Sequence, residues 1–419
     1  MSDVAARAVE RRYLVLTVLR WLPTGLLIPV TVLLLTERGL SLGVIGAIGA
    51  VQGATVFLLE LPTGGLADAL GRRPVLVAAT AVDLIAVVIF VFAHAVWLLV
   101  VVRLLEGVYR ALESGPLGAW YVDAALAVDP RTDIERGLSR ATAVLGMAIA
   151  AGALSGGGLV ALDPVPAVEA LAVPLVLSAV LRVVEIVAQL RLMTEVRPPV
   201  GWSAVRASVV AVPSVVRGAV TMLRSSRVLL CLVLVEVLWG FGMTAFETLL
   251  PPRLAEVVGG ADRAAALLGP TSSAAWVVSA LGAAAVPWIT RRLGSAVSAG
   301  VLRIVQGVTV AAMGLAAGAV GVVVAYLATY WVHGASNPMH QALLHGQVGP
   351  ERRATVLSAN SMMSLSGGAV GGIVLGRLAD TIGLTPAMVV GAVVLALAAP
   401  LYWPAVRVDC GVRDAVVGG

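Results

Sequence analysis

The sequence predicts an all-α membrane protein with twelve transmembrane helices arranged in two six-helix halves. The chain has 419 residues, of which 59% are hydrophobic and 13% charged, with a mean hydropathy of +0.97. These values are far more apolar than those of an ordinary soluble domain. A bilayer span needs about 20 apolar residues, and twelve such segments alternate with polar breaks. The longest break, residues 192–227, divides the chain into the halves 1–191 and 228–419.

The predicted spans fix the orientation of the chain. We place them at residues 13–36, 42–63, 75–93, 96–124, 138–161, 167–191, 228–250, 264–288, 297–318, 320–344, 354–377 and 383–404. All 29 basic residues are arginine, and with the amino terminus inside, 20 lie on the cytoplasmic side against 4 outside. We therefore expect a multi-pass protein of the inner (plasma) membrane with both termini cytoplasmic. The net charge of +5 reflects topology, so no nucleic-acid partner is predicted.

The middle break is predicted to be a cytoplasmic linker that contains an amphipathic helix. Arg206, Arg217 and Arg224 recur at roughly helical spacing among valines. Such a helix lies at the inner membrane surface, where anionic lipid attracts its basic side chains. Membrane lipid is therefore an expected partner.

A polar, glycine-rich turn from Gly64 to Leu76 (GGLADALGRRPVL) separates the second and third spans. It resembles motif A of the major facilitator superfamily, although Ala69 stands where that family usually has a basic residue. The matching residues are Gly64, Leu66, Ala67, Asp68, Gly71, Arg72, Arg73 and Leu76. The resemblance implies two pseudo-symmetric six-helix bundles around a central cavity, which opens alternately to each side. The alternative is an ordinary loop whose arginines obey the positive-inside rule.

Three other fragments repeat parts of family motifs. Residues 287–296 (PWITRRLGSA) echo the turn weakly, without an acid that matches Asp68. Residues 376–383 (GRLADTIG) have a similar sequence to this turn but lie on the predicted outer side. We interpret this similarity as a coincidence of small residues. Residues 148–157 (AIAAGALSGG) resemble motif C of the drug:proton antiporter branch, with Ala148 and Ala153 as departures. A glycine-rich packing face is the alternative for that segment.

The candidate functional groups are the ionisable side chains inside the spans. Motifs of soluble enzymes and metal-ligand spacings are missing from the sequence, so we expect a protein that is not an enzyme and has no cofactor or metal. Each charge costs about 2.5 to 3.5 kcal/mol at the centre of a span unless it is paired or hydrated. The ten residues are Arg20, Arg103, Arg110, Arg182, Arg303, Asp83, Glu106, Glu113, Glu185 and Glu236.

Four of these charges form a stripe on the fourth predicted span. Arg103, Glu106, Arg110 and Glu113 are spaced by three, four and three residues, which places them on one face of a helix. The functional interpretation is proton coupling by exposed carboxylates, and the alternative is a ladder of structural ion pairs. The proton-coupling candidates of the chain are Asp83, Glu106, Glu113 and Glu236.

The resemblance also implies a conformational gate at the cytoplasmic side. In the superfamily, an acid at the position of Asp123 contacts the motif A arginines, so Asp123 with Arg72 or Arg73 is the candidate latch. Asp68 is expected near the start of the eleventh span, where the helix dipole favours a carboxylate. Arg103 and Gly107 match motif B. The complete gate set is Gly64, Asp68, Gly71, Arg72, Arg73, Arg103, Gly107 and Asp123.

Aromatic and polar residues of the seventh and tenth spans suggest a substrate site. Aromatic rings beside a few acids suit an amphipathic or cationic compound, although aromatics also simply pack. A histidine titrates near working pH, so His333 is a candidate proton relay; the alternative is a hydrogen bond between helices. The substrate-binding candidates are Arg20, Arg110, Trp239, Phe246, His333 and Asn337.

The sequence therefore predicts a monomeric secondary active transporter. Proton-coupled efflux of a small hydrophobic or amphipathic compound is the first hypothesis. The alternatives are a proton-coupled importer of a metabolite and a membrane receptor that does not transport.

Overall fold

The computed structural model describes residues 2–63, 65–165, 167–195, 201–349 and 353–407. All regular structure in these residues is helical. The first group of helices is α1 (Ser2–Leu27), α2 (Thr31–Glu37), α3 (Leu42–Thr63), α4 (Leu66–Leu70), α5 (Arg72–Phe92), α6 (Val96–Glu113), α7 (Pro116–Val128), α8 (Ile134–Leu162) and α9 (Val173–Leu192). The second is α10 (Trp202–Ser225), α11 (Arg227–Glu247), α12 (Leu250–Val258), α13 (Ala261–Leu293), α14 (Ser295–Leu315), α15 (Ala319–Gly346), α16 (Arg353–Ile382) and α17 (Leu384–Ala396).

Twelve helical segments of the described chain are long and apolar enough to cross a membrane. Length and composition alone include Val205–Ser225 and leave out α6. We instead count α6 as a transmembrane helix and do not count α10. The α6 helix carries four charged residues but packs against its neighbours, whereas α10 is largely exposed along its described side chains. With α6 in place of α10, the predicted all-α fold of twelve transmembrane helices is confirmed.

Several predicted spans are interrupted where backbone chemistry requires it. The first span breaks between Leu27 and Thr31, next to Pro29, and the fourth span breaks between Glu113 and Pro116. Gly115 there has φ +100°, a conformation that glycine adopts without steric cost, and Pro116 suits the first position of α7. The single continuous helix expected over residues 96–124 is therefore wrong. Asp123 lies on a separate helix, α7.

The chain packs as two compact units. Unit 1 comprises residues 1–34, 54–212 and 265–273, and unit 2 comprises residues 35–53, 213–264 and 274–419. Each unit thus combines most of one predicted half with a short stretch of the other. The halves 1–191 and 228–419 and the linker 192–227 remain a prediction.

Glycines allow helix backbones to touch in unit 1. A Cβ on Gly152 of α8 would clash with the Leu22 carbonyl oxygen of α1 and would lie 2.9 Å from the Gly25 Cα atom. Close backbone contact increases dispersion attraction in a bilayer, where no hydrophobic effect drives helices together. The observed contacts favour the packing-face interpretation of residues 148–157 over a family motif.

We predict that Gly152→Val destabilises the protein by about 1–3 kcal/mol or more, because the added side chain overpacks a backbone contact. The measurement is the melting temperature of purified protein in detergent. Gly158→Val is the matched control, since Gly158 lies on the same helix and a Cβ there meets nothing within 4 Å. Equal melting temperatures for the two variants would contradict this account.

Candidate functional site

Unit 1 contains an ion pair at the edge of a cavity. Arg20 of α1 is only 4% exposed, and its guanidinium donates to the Glu113 carboxylate and to the Tyr109 hydroxyl of α6. Glu113 lines a cavity of about 210 Å³, together with Thr17 and Trp21. Its side chain is 16% exposed against 5% for that of Arg20. This carboxylate is therefore paired but still partly accessible.

A second arginine of unit 1 is enclosed by two acids. Arg182 of α9 contacts Asp83 of α5 at 2.6 Å (Nε to Oδ2) and Glu185 at 2.7 Å (Nη1 to Oε2). The three residues are 3%, 4% and 1% exposed. Arg182 also donates to the Arg20 carbonyl oxygen at 3.0 Å. The triad of Arg182, Asp83 and Glu185 therefore holds α9 to α5 and α1.

The stripe on α6 separates into different partnerships. Arg103 pairs with Glu106 one turn away at 2.6 Å, as the ladder interpretation expects. Glu113, however, pairs with Arg20 of another helix, and Arg110 is exposed. Gly107 is buried on the same helix. Of the predicted ladder, the pair of Arg103 and Glu106 forms, whereas Arg110 and Glu113 do not pair with each other.

The motif A turn carries the ion pair that was expected at the candidate gate. Arg72, at the start of α5, contacts the carboxylate of Asp123 on α7. Arg73 instead donates from its guanidinium to the Leu190 carbonyl oxygen at 2.8 Å. Of the other predicted gate residues, Gly64 lies outside the described residues, and the structure describes the backbone of Asp68 but not its side chain.

The start of the linker region covers this turn. The Glu195 carboxylate accepts from the Arg73 backbone N–H at 2.6 Å, and the Ala69 carbonyl oxygen accepts from the Gly201 N–H at 2.9 Å. Gly71 has φ +98°, and its missing side chain leaves room for Glu195 at 3.0 Å from the Cβ position. Ala69 is only 1% exposed, so the buried site explains why a small residue replaces the basic one.

Unit 2 has its own buried ion cluster around Glu236 of α11. Its Oε1 atom lies 3.6 Å from Arg303 Nη2 of α14 and 3.4 Å from His340 Nε2 of α15. His340 Nε2 also lies 3.3 Å from the Asn360 Oδ1 atom, and Nδ1 lies 2.9 Å from the Tyr402 hydroxyl. Two acceptor oxygens face Nε2, which favours a proton on that nitrogen.

Next to this cluster, the rings of Trp239, Tyr330 and His333 form an aromatic wall, in which two hydrogen-bonding atoms have no partner in the described part of the chain. The rings of Trp239 and His333 stack at 5.3 Å, and Tyr330 meets His333 edge-on at 6.2 Å. The Tyr330 hydroxyl donates to the carboxylate of Glu247. Trp239 Nε1 and His333 Nδ1 are buried and have no hydrogen-bond partner within the described part of the chain. A buried donor without a partner costs about 1–3 kcal/mol, so these atoms could be satisfied by a bound compound.

The remaining substrate-binding candidates lie in other environments. Phe246 is 1% exposed and packs edge-on against Tyr330 at 6.1 Å, so it supports the aromatic wall from behind. Asn337 is exposed on α15. Sequence reasoning missed the tyrosines Tyr109, Tyr330 and Tyr402, whose hydroxyls bind the charged clusters. A tyrosine inside a span is the signal that could have found them, because a buried hydroxyl needs a partner.

Among the described residues, no group of three or more His, Cys, Asp or Glu side chains could hold a metal ion.

Comparison with known proteins places these clusters in a known fold. A family model described as Major Facilitator Superfamily matches residues 13–372. The nucleoside transporter NupG superposes with a TM-score of 0.76 at 14% identity, covering 94% of this chain and 98% of that one. A bacterial homologue of the human lysosomal transporter Spinster, in an inward-facing and occupied conformation, gives 0.73 at 16% identity, with 96% and 97% covered. No curated protein sequence matches the chain.

A third solved structure, a POT family transporter in complex with 5-aminolevulinic acid, gives a TM-score of 0.70 at 15% identity, with 96% of each chain covered. At these identities the likeness establishes the fold alone. The predicted fold of two pseudo-symmetric six-helix bundles is confirmed.

Proposed function

We propose a transport function on the premise that this chain belongs to the Major Facilitator Superfamily, whose model matches residues 13–372. It is a multi-pass membrane protein, and its transporter fold implies a small-molecule substrate. Our proposal is secondary active, proton-coupled efflux of a small hydrophobic or amphipathic compound, as in the drug:proton antiporter branch. The observation that carries the proposal is the partly exposed Glu113 carboxylate, paired with buried Arg20 at the edge of a cavity of about 210 Å³.

Protonation of Glu113 changes the strength of this pair. A charge-assisted hydrogen bond between guanidinium and carboxylate is roughly twice as strong as a neutral one. Proton binding therefore weakens the link between Arg20 and Glu113 and shifts the balance between states that differ in this contact. Export requires that proton and substrate compete. We therefore propose that substrate from inside uses the Glu113 carboxylate after its proton has left, and that a proton from outside displaces the substrate.

The other coupling candidates differ in how well a proton could reach them. Glu106 and Glu236 have side chains that are 11% and 10% exposed, and we keep both as proposed coupling residues. Asp83 shares the Arg182 guanidinium with Glu185 in a triad whose members are at most 4% exposed. We therefore rank Asp83 last and propose that it acts mainly in holding the helices together.

The aromatic wall of unit 2 is our proposed contact for substrate. Trp239 offers an indole N–H and a flat face, and stacked His333 offers Nδ1. Such a surface favours a flat or cationic group that also forms a hydrogen bond. Arg20, the partner of Glu113, is a further proposed substrate contact. Exposed Arg110 and Asn337 are proposed contacts along the entry path, and Phe246 stiffens the wall.

The Arg72 to Asp123 pair is our proposed inner latch. It joins the turn of motif A to α7, and Gly71, Arg73 and the Ala69 carbonyl fasten the same turn to the linker. We further propose that Asp68, Gly64, Arg103 and Gly107 belong to this gate. The protein would act as a monomer in the inner (plasma) membrane, with cytoplasmic termini and with α10 on the lipid surface.

We predict that Glu113→Gln abolishes proton-driven transport. Purified protein in liposomes is given an imposed pH gradient and a broad panel of labelled hydrophobic and cationic compounds. The variant should match protein-free liposomes, because glutamine cannot exchange a proton, while it still purifies as folded protein with a melting temperature lowered by the loss of the charge partner of Arg20. Glu256→Gln is the control, since Glu256 is half-exposed beside Arg253. Undiminished gradient-driven flux in Glu113→Gln would overturn the coupling assignment, and a lack of any flux in either gradient direction would overturn transport itself.

A charge exchange tests the proposed latch. Arg72→Asp and Asp123→Arg should each reduce the transport rate severalfold, because each places like charges side by side. Combining both restores an ion pair of reversed sense and should recover most of the rate in the same liposomes. Arg136→Gln is the control for loss of one positive charge, since Arg136 is exposed and lies outside the gate set. A combined variant no faster than the single variants would count against the latch.

A further inference from the structure

The first turn of α3 is capped by a carboxylate from a distant helix. The backbone N–H groups of Leu42 and Gly43 donate to Asp380 of α16, one to each carboxylate oxygen, at 2.9 and 2.8 Å. Ser41 Oγ accepts from the next amide, Val44 N–H, at 3.4 Å. The first amides of a helix have no partner within the helix, and its positive end favours an anion. Asp380 therefore supplies both hydrogen bonds and charge to this helix start.

Small residues bring the two helices close enough for this contact. A Cβ on Gly46 of α3 would lie 2.8 Å from the Ile373 backbone nitrogen, and one on Gly376 of α16 would lie 2.9 Å from the Gly43 nitrogen. Backbone therefore meets backbone within unit 2, and a short aspartate side chain can span the remaining gap. The contact is specific to this spacing of glycines and Asp380.

The turn after Asp380 has the same backbone shape as the motif A turn. Asp380 precedes Gly383 by three residues, as Asp68 precedes Gly71. Gly71 has φ 98° and ψ 150°, and Gly383 has φ 99° and ψ 164°; each lies directly before the next helix. Gly71 and Gly383 thus share one backbone conformation directly before a helix. The interpretation of residues 376–383 as a coincidence of small residues stays a prediction.

We propose that Asp380 is an outer latch, which fastens the start of α3 to the end of α16 and releases it when the outer side opens. In the sequence α3 belongs to the first six-helix half and α16 to the second. This inference rests on the alternating access of the proposed function. Any motion that separates the two halves on this side must break the two hydrogen bonds of Asp380.

The test is a spin-label distance between the end of α2, five residues before the start of α3, and the end of α16. Both native cysteines are first replaced, by Cys231→Ser and Cys410→Ser. Labels are then attached at Glu37→Cys and Ile382→Cys, both exposed positions. Loss of a helix cap typically shifts such an equilibrium by about two- to thirty-fold. Asp380→Ala should therefore raise the population with the longer distance by that factor. Asp380→Asn should give a smaller shift, since an amide oxygen still accepts a hydrogen bond but carries no charge.

Asp262→Asn is the matched control, because it removes an exposed acid from the first turn of a different helix, α13; its distances should equal those of the unmodified protein. An unchanged distance distribution in folded Asp380→Ala would overturn the latch. If that variant does not fold, Asp380→Asn decides in the same way. The measurement needs no substrate and no pH gradient, so failure of proton-driven flux would leave its result standing.

Discussion

The structure depends on the compensation of buried positive charge within an apolar bundle. Arg20, Arg182 and Arg303 are 4%, 3% and 2% exposed, and each guanidinium lies beside at least one carboxylate. Removing one partner from such a buried pair typically costs about 3–5 kcal/mol, because the remaining charge is left without compensation. Each arginine therefore determines which face its helix turns inward, and the glycine contacts determine how closely the helices then pack.

Partial exposure distinguishes Glu113, our proposed coupling carboxylate, from Asp83 and Glu185, which hold helices together. Asp83 and Glu185 share one guanidinium in a closed triad, so a proton reaching either acid would disturb the packing of three helices. Glu113 borders a cavity and can lose its charge with less disturbance. The same constraint gives unit 2 its own pair, where His340 links Glu236 to Tyr402. In our proposal, the first-ranked coupling carboxylate, Glu113, lies in unit 1 and the aromatic substrate contact lies in unit 2.

Much of the fold could be predicted from the sequence, because hydropathy and arginine placement act locally along the chain. The break at Gly115 and Pro116 was missed, although the sequence carries a signal for it, since glycine followed by proline often ends a helix. The sequence could not show that Glu113 pairs with Arg20. Arg110 lies only three residues from Glu113, and tertiary packing decides which of the two arginines it meets. The cap of α3 by Asp380 was hidden for the same reason. It becomes visible only when residues more than 300 positions apart are brought together.

The most direct test of charge compensation is the melting temperature of variants of the closed triad. Arg182→Met alone should lower it strongly, because two buried acids lose their shared partner. Combining Arg182→Met with Asp83→Asn and Glu185→Gln should recover most of the loss, since no charge then remains to be compensated. Losses that simply add, leaving the triple variant less stable than Arg182→Met, would contradict the claim that charge compensation holds these helices in place.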